Sequence, residues 1–370
     1  MAKEGGGPNW DGLLKWSIAN SDGTSKPRNL SEEDRKWFME AMQAQTIDVV
    51  KRMKEITLVM QTPESVLEEQ GVSATDIEGM LDELQEHVES IDMANDLHTI
   101  GGLAPLLKYL SNSHANIRAK AAEVVTTIVQ NNPKSQQLVM DANGMEPLLT
   151  NFTSDDDVTV RTKALGAISS LIRHNKPGVT AFRLANGYAG LRDALSSENV
   201  RFQRKALNLI QYLIQENPSD CNVVTELGFP RILTHLVGSE DPEVREGALR
   251  GLYELSKDKS GKANVSTHED EEKLKQVLQE RINSISIMSA EDLAAVRDER
   301  LLVDSLWTTH YNEPSSLREK GLVVLPGDDT DDLPPDVASK MFESPLRGSS
   351  RLANSDDKSK KKDAPLLLGP

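Results

Sequence analysis

Four stretches decide the fold: Gly102-Leu-Ala-Pro-Leu-Leu, Gly144-Met-Glu-Pro-Leu-Leu, Gly187-Tyr-Ala-Gly-Leu-Arg and Gly228-Phe-Pro-Arg-Ile-Leu. Their glycines stand 42, 43 and 41 residues apart. Downstream of each glycine a second helix opens with related wording: Ile117-Arg118-Ala119-Lys120, Val160-Arg161-Thr162-Lys163, Phe202-Gln203-Arg204-Lys205 and Val244-Arg245-Glu246-Gly247. The first three of these helices are expected to end near Pro133, Pro177 and Pro218, because proline stops helical continuation. A period of roughly 40–47 residues with two or three helices per unit is the signature of armadillo and HEAT solenoids. The expected fold is therefore all-α, an armadillo-like right-handed solenoid of about four repeats.

One such unit cannot bury its apolar face alone, so the stack needs caps at both ends. Before the first repeat, Ile77, Met80, Leu81, Leu84, Val88 and Ile91 follow helical spacing, with Thr75 and Glu78 placed as a capping box. An earlier helix opens at Ser31-Glu-Glu-Asp and carries Met42, Val49, Val50, Met53, Ile56 and Met60. After the fourth repeat, Leu274, Val277, Leu278 and Ile282 form the stripe of a closing helix. The expected organisation is a flexible segment with a short amphipathic helix over 1–30, capping helices over 31–98, repeats over 99–258, capping helices over 259–325 and a disordered tail over 326–370. That tail includes Asp328-Asp-Thr-Asp-Asp332 and Lys358-Ser-Lys-Lys-Lys362, a composition that cannot bury enough apolar area to offset the entropy of ordering.

Composition narrows the function classes. Apolar residues make up 38% and aromatic residues only 4%, which suits stacked helices better than an aromatic-rich sandwich. A formal net charge of −16 argues against non-specific nucleic-acid binding, whose affinity comes from Lys and Arg displacing counterions. The single cysteine, Cys221, excludes an internal disulfide and a Cys-based zinc site. No apolar run approaches the roughly 20 residues that cross a bilayer, and the N-terminus lacks the apolar stretch of a secretion signal. The expected protein is a cytosolic monomer with no nucleic-acid or membrane partner. The lysine run at 358–362 reads first as a solvated tail and second as a nuclear signal.

Residue patterns that support catalysis are nearly absent. No strand–Gly-rich loop–helix unit is present to cradle a phosphate. The histidines form no pair at metal-ligand spacing; His114 reads as a solvated loop residue and Cys221 as a small packed one. No pocket that shifts a carboxylate pKa is identifiable. The expectation is a non-enzyme without catalytic residues, metal or cofactor. What remains is a stripe on the second helix of each unit, one residue on from the core positions: Glu123, Thr127 and Gln130; Gly166, Ser170 and Arg173; Asn208, Tyr212 and Gln215; Arg250, Glu254 and Lys257. In an armadillo stack this stripe lines the concave groove that holds a partner protein; the competing reading is the wet side of amphipathic helices. At the N-terminus, Leu13, Leu14, Trp16 and Ile18 form an apolar segment that either docks on a partner or packs back on its own solenoid.

With these pieces placed, the sequence resembles the armadillo-type nucleotide exchange factors of the 70-kilodalton heat-shock chaperone, the heat-shock-protein-binding protein one family. The similar pieces are Leu13-Leu-Lys-Trp16-Ser-Ile18-Ala-Asn20, Glu89-Ser-Ile-Asp-Met-Ala-Asn-Asp-Leu97 and Val160-Arg161-Thr-Lys-Ala-Leu-Gly166-Ala-Ile-Ser-Ser170-Leu-Ile-Arg173, within residues 10–255. The ending Leu333-Pro-Pro-Asp-Val-Ala-Ser-Lys-Met-Phe342 is similar to plant members. The resemblance implies that the concave face embraces one lobe of the chaperone's ATPase domain and loosens the other, releasing ADP, while the N-terminal segment aids substrate release. It places Arg161 and Arg173 in the best-matched motif, with Arg161 leaning towards a packing role. Gln203 stands where the other repeats carry Arg118, Arg161 and Arg245, which weakens any uniform arginine ladder. The alternative is a peptide-binding armadillo adaptor without exchange activity, although the repeated Trp and Asn of such grooves are absent from the stripe. A ubiquitin-ligase scaffold would need a further domain for which neither flank has the length.

Overall fold

The computed structural model describes residues 32–257 and 268–324, and every regular element among them is a helix. The expectations for 1–30 and 326–370, including Leu13, Leu14, Trp16 and Ile18, fall outside the described residues. The chain divides into two compact units, residues 1–190 and 191–370.

In the first unit the helices run α1 Glu32–Gln61, α2 Glu64–Glu69, α3 Ala74–His87, α4 Ile91–Thr99, α5 Leu103–Tyr109, α6 Ala115–Val129, α7 Pro133–Asp141, α8 Met145–Ser154, α9 Val158–Ile172 and α10 Lys176–Leu184. The unit boundary falls within α11, Gly187–Leu195. The second unit continues with α12 Val200–Glu216, a 3-10 turn Pro218–Asp220, α13 Cys221–Glu226, α14 Phe229–Leu236, α15 Pro242–Lys257, α16 His268–Ser286, α17 Ala290–Ala295, α18 Arg297–Tyr311 and α19 Ser316–Glu319. Each repeat is therefore a triplet: two short helices and a long one, as in α4-α5-α6, α7-α8-α9 and α13-α14-α15.

Polar residues write the helix ends. Pro133 is the first residue of α7 and Pro177 the second of α10, so each proline starts a new helix where its missing N–H is no loss. Asn132 Oδ1 caps α7 by accepting from the Ser135 amide at 3.3 Å, and Asn175 Oδ1 caps α10 from the Gly178 amide at 3.2 Å. The residues before these caps, Asn131 and His174, take the left-handed conformation that reverses the chain, with φ of 53° and 55°. The capping box of α3 sits two residues earlier than Thr75 and Glu78: the Ser73 hydroxyl accepts from the Asp76 amide at 3.2 Å while the Asp76 carboxylate accepts from the Ser73 amide at 2.8 Å. An aspartate fills the third helical position as well as the expected glutamate would.

The four glycines of the period serve two different needs. A Cβ on Gly102 would stand 2.4 Å from a Leu97 methyl, one on Gly144 2.7 Å from a Val139 methyl, and one on Gly187 2.4 Å from the Phe182 ring. In these three the second helix begins against the side chains of the first, and the preceding residue makes the left-handed turn: Gly101, Asn143 and Asn186, with φ of 83°, 56° and 56°. Gly228 is different. It carries the left-handed conformation itself, φ 82°, with open space where a Cβ would point. The left-handed residue has moved onto the glycine, consistent with the shorter spacing of 41 residues before it.

Packing then aligns the long helices. In the first unit α3 packs on α6 and α6 on α9; in the second, α12 packs on α15 and α15 on α18. Thus α3 stands in as the long helix of an incomplete leading repeat, with α1 covering α3 and α5, and α18 does the same at the other end, with α16 lying against α14 and α18. Met53, Ile56 and Met60 of α1 are buried and Val49 and Val50 half-buried, while the Met42 side chain lies outside the described residues. Leu274, Val277, Leu278 and Ile282 are buried on α16.

Candidate partner-binding surface

The long helices bury Leu165, Ile168, Leu171 and Ile172 on α9, Leu207, Ile210, Leu213 and Ile214 on α12, and Leu249 and Leu252 on α15. The stripe beside these positions is mostly at the surface. In the first unit Glu123, Thr127, Ser170 and Arg173 are half-buried and Gln130 is exposed. In the second, Asn208, Gln215 and Lys257 are exposed and Tyr212, Arg250 and Glu254 half-buried. Gly166 is the exception: it is buried, within a run from 164 to 168 that is buried throughout. Helix α9 has α6, α8 and α10 packed around it, so it has no wet face at that level.

The surface stripe is wired from one long helix to the next. In the first unit, Gln85 Nε2 on α3 donates to Thr127 Oγ1 on α6 at 3.2 Å, Lys120 on α6 pairs with Asp82 on α3 at 2.5 Å, and Lys163 on α9 pairs with Glu123 on α6. The Asp82 carboxylate raises the Lys120 pKa above its ordinary value, so this cation stays charged at neutral pH. In the second unit, Gln215 Nε2 on α12 donates to Glu254 on α15 at 3.3 Å, and Lys257 pairs with the same carboxylate at 3.0 Å while lying 4.6 Å over the Tyr253 ring. Arg250, expected as a contact residue, joins Glu246 at 2.5 Å to Asp298 of α18 at 3.0 Å and stays half-exposed. Its guanidinium ties the cap to the stack. Side chains held in this way present a pre-ordered face, so a partner pays less rotamer entropy on docking. Asp82, Gln85, Lys120 and Lys163 belong to this face and extend the stripe read from sequence; the recurring Lys120, Lys163 and Lys205 of the helix motif were the signal.

The arginine of that motif has a packing role in each unit. Arg118 Nη1 donates to the carbonyls of Asn112 and Ser113 at 2.9 and 3.0 Å, and Arg161 Nε to that of Phe152 at 3.0 Å. Arg245 Nη1 donates to Ser239 and Glu240 at 3.0 and 2.7 Å. Gln203 does the same work, its Nε2 donating to Leu195 and Ser197 carbonyls at 3.2 and 2.7 Å. Arg118, Gln203 and Arg245 clasp the loop that leads into their own helix and Arg161 the last turn of the helix before it, so the departure at Gln203 conserves the function of the position.

His114 is exposed at the start of α6, with Nδ1 3.1 Å from a Glu64 oxygen, and Cys221 is buried. Among the described residues no group of His, Cys, Asp and Glu is placed to hold a metal ion, and no helix is long and apolar enough to cross a membrane.

Known proteins share this arrangement at two levels. A designed armadillo repeat protein solved with a (KR)4 peptide superposes with a TM-score of 0.52 at 16% identity, over 70% of this chain and 99% of that one, which speaks to the fold alone. The profile of the family described as nucleotide exchange factor Fes1 matches residues 10–97, and that of the SIL1/FES1/HPBP1 C-terminal domain matches residues 93–222. Hsp70-binding protein 1 of Mus musculus is 30% identical over 68% of this chain and 72% of its own length. Hsp70 nucleotide exchange factor FES1 of Kluyveromyces lactis is 31% identical over 53% of this chain and 67% of its own. An all-α stack of armadillo triplets matched across both profiles and over most of a full-length relative leaves one assignment: the chain belongs to the SIL1/FES1/HPBP1 family.

Proposed function

We propose that this chain is a nucleotide exchange factor, a non-catalytic co-chaperone that binds the 70-kilodalton heat-shock chaperone Hsp70 and promotes release of its ADP. The observation that carries this reading is the shared length with relatives named for Hsp70 binding and Hsp70 nucleotide exchange, 72% and 67% of those proteins. The contact surface is the wired stripe on the long helices of each unit, and the target is the chaperone's ATPase domain. The N-terminal segment with Leu13, Leu14, Trp16 and Ile18 is assigned to aiding substrate release. Cytosol is the proposed location and monomer the proposed state.

No bond-making is required of such a protein. An exchange factor shifts nucleotide binding only through the difference in its affinity for the two chaperone states, and the coupling is reciprocal. If the protein binds the nucleotide-free ATPase domain about 100-fold more tightly than the ADP form, ADP must bind about 100-fold more weakly to the complex. Isothermal titration of the purified ATPase domain, with and without saturating ADP, tests this. Equal affinity in both titrations would show that binding leaves the ADP affinity unchanged and would refute that coupling.

A further inference from the structure

The fourth triplet is built differently from those before it. Its first helix, α13, has 6 residues after a 3-10 turn, where α7 and α10 have 9 each. A cavity of about 510 Å³ lies between α13, α14, α15 and α16, with His310 of α18 also in its wall. Its floor is apolar, with Leu252, Leu255, Leu274 and Pro230, and its rim carries Glu226 and Glu271. This size and this combination of apolar lining with a few charged groups are those of a ligand site.

We infer that the cavity receives the chain's own C-terminal segment, Leu366-Leu367-Leu368, led in by the lysines at 358–362. Three features of the sequence and structure favour this occupant. The three leucines are the longest apolar run in the polar sequence that follows Val324, and they match the leucine-lined floor. Four lysines stand just ahead of them, and the first turn of α16 at the cavity mouth carries Glu269, Asp270 and Glu271. Within the lining, Arg231 and Asp270 pair with each other at 3.0 Å, which leaves Glu226 and Glu271 facing Lys273, His235 and His310.

Reach is also satisfied. The described chain ends beside Arg300, whose Nη1 donates to the Leu322 carbonyl at 2.6 Å. Arg300 and the cavity residue His310 are ten residues apart on α18, a rise of about 15 Å. About 42 residues separate Val324 from Leu366, and at up to about 3.3 Å per residue a fraction of that number covers the distance. The leucines are thus covalently within reach of the cavity, and their binding there is intramolecular.

Cys221 provides the reporter, because it lines the cavity and is the only cysteine in the chain. In the full chain, the rate at which N-ethylmaleimide modifies Cys221 is compared with that of Leu366→Asp/Leu367→Asp and of Lys361→Glu/Lys362→Glu. A tail bound four-fifths of the time slows the reaction about fivefold, so both double variants should react about fivefold faster while melting at the unchanged temperature. Equal rates in all three proteins overturn the inference. A second measurement identifies the occupant: p-benzoylphenylalanine at position 367 should crosslink to α14 or α16 of the same molecule. Crosslinks to another region, crosslinked dimers, or efficient crosslinking to the cavity from position 265 in the connection between α15 and α16 would each assign the cavity elsewhere. Neither measurement involves the chaperone, so the exchange reading stands or falls separately.

Discussion

Arg118 grips Asp155 of the following repeat through two parallel hydrogen bonds, 2.7 Å from Nε and 2.9 Å from Nη2, while the same guanidinium clasps its own loop. The pair is largely shielded, with side chains 16% and 6% exposed. Arg118→Ala leaves a shielded carboxylate without its partner and should cost about 2 kcal/mol, read as a lowered thermal midpoint. In the third repeat the two tasks are split: Gln203 clasps the loop, and the next residue, Arg204, reaches Asp241 at 3.0 Å. Arg204→Ala, at a more exposed pair, should lower the midpoint by less than Arg118→Ala. A larger effect at Arg204 would contradict the assignment of roles.

The same pairing sets an acid limit on stability. Burial alone would raise the Asp155 pKa, but hydrogen bonds from Arg118 and the Asp157 amide outweigh it and hold the carboxyl below its ordinary value of 3.8. Arg52, through hydrogen bonds of 2.7 and 2.8 Å, holds Glu83 below its ordinary 4.5. A carboxyl depressed in the folded state contributes stability that is complete above the unfolded value and is lost as pH falls through the folded one. The thermal midpoint should therefore hold level above about pH 5 and fall increasingly below pH 4.5. Asp155→Asn should start lower at neutral pH and lose less on acidification; a parallel decline would refute the linkage.

The two kinds of repeat glycine separate experimentally. Gly144→Ala drives a Cβ into Val139, 2.7 Å from its methyl and 3.0 Å from its backbone oxygen, an overpacking that should cost about 1–3 kcal/mol. Gly228→Asn meets open space and keeps a residue type that tolerates the left-handed region, as Asn143 and Asn186 already do. Chemical denaturation should find Gly228→Asn within about 1 kcal/mol of the parent protein. Equal losses at both positions would show that the glycines share one role.

At the C-terminal end, Asp304 is fully buried and holds the chain that follows α18. Its Oδ1 accepts from the Ser315 amide at 3.2 Å and hydroxyl at 2.8 Å, and its other oxygen pairs with Arg318. Asp304→Ala strips the partner from a partly buried arginine and should cost about 3 kcal/mol. Hydrogen exchange across 312–324 should accelerate first, ahead of α12 and α15. Protection unchanged in that segment would show that Leu317 packing alone retains it.

The triplet period was legible because Gly102, Gly144 and Gly187 answer to a contact a single methyl would break, and such sites tolerate little else. The helix starts at Asn132 and Asn175 were legible only as prolines, because capping depends on a side chain turning back on its own backbone. Gly166 was misplaced for a geometric reason: counting one residue on from the core assumes one wet face, and α9 has neighbours on three sides. The tie from Arg250 to Asp298 is not legible in the helix motif because the two residues are 48 apart, across a connection that carries no repeat signal. Helix α18 escaped the period for a related reason: α16 extends to 19 residues, so the glycine spacing stops before the last long helix. Pairings between helices of different repeats are set by packing, and no window of local sequence encodes them.

In the function proposed for this chain, the wired stripe of the long helices engages the chaperone and loosens its ADP. The most direct test is stopped-flow release of a fluorescent ADP analogue from Hsp70. Gln130 and Asn208 are the stripe positions to vary, since both are exposed and neither tie a cap nor fill the core. The parent protein should accelerate release by at least about tenfold, a lowering of the release barrier by about 1.4 kcal/mol. Gln130→Arg/Asn208→Arg should lose most of that acceleration at an unchanged melting temperature. Release as slow with the parent protein as without it would contradict the exchange function, and full acceleration by the double variant would move the contact off this stripe.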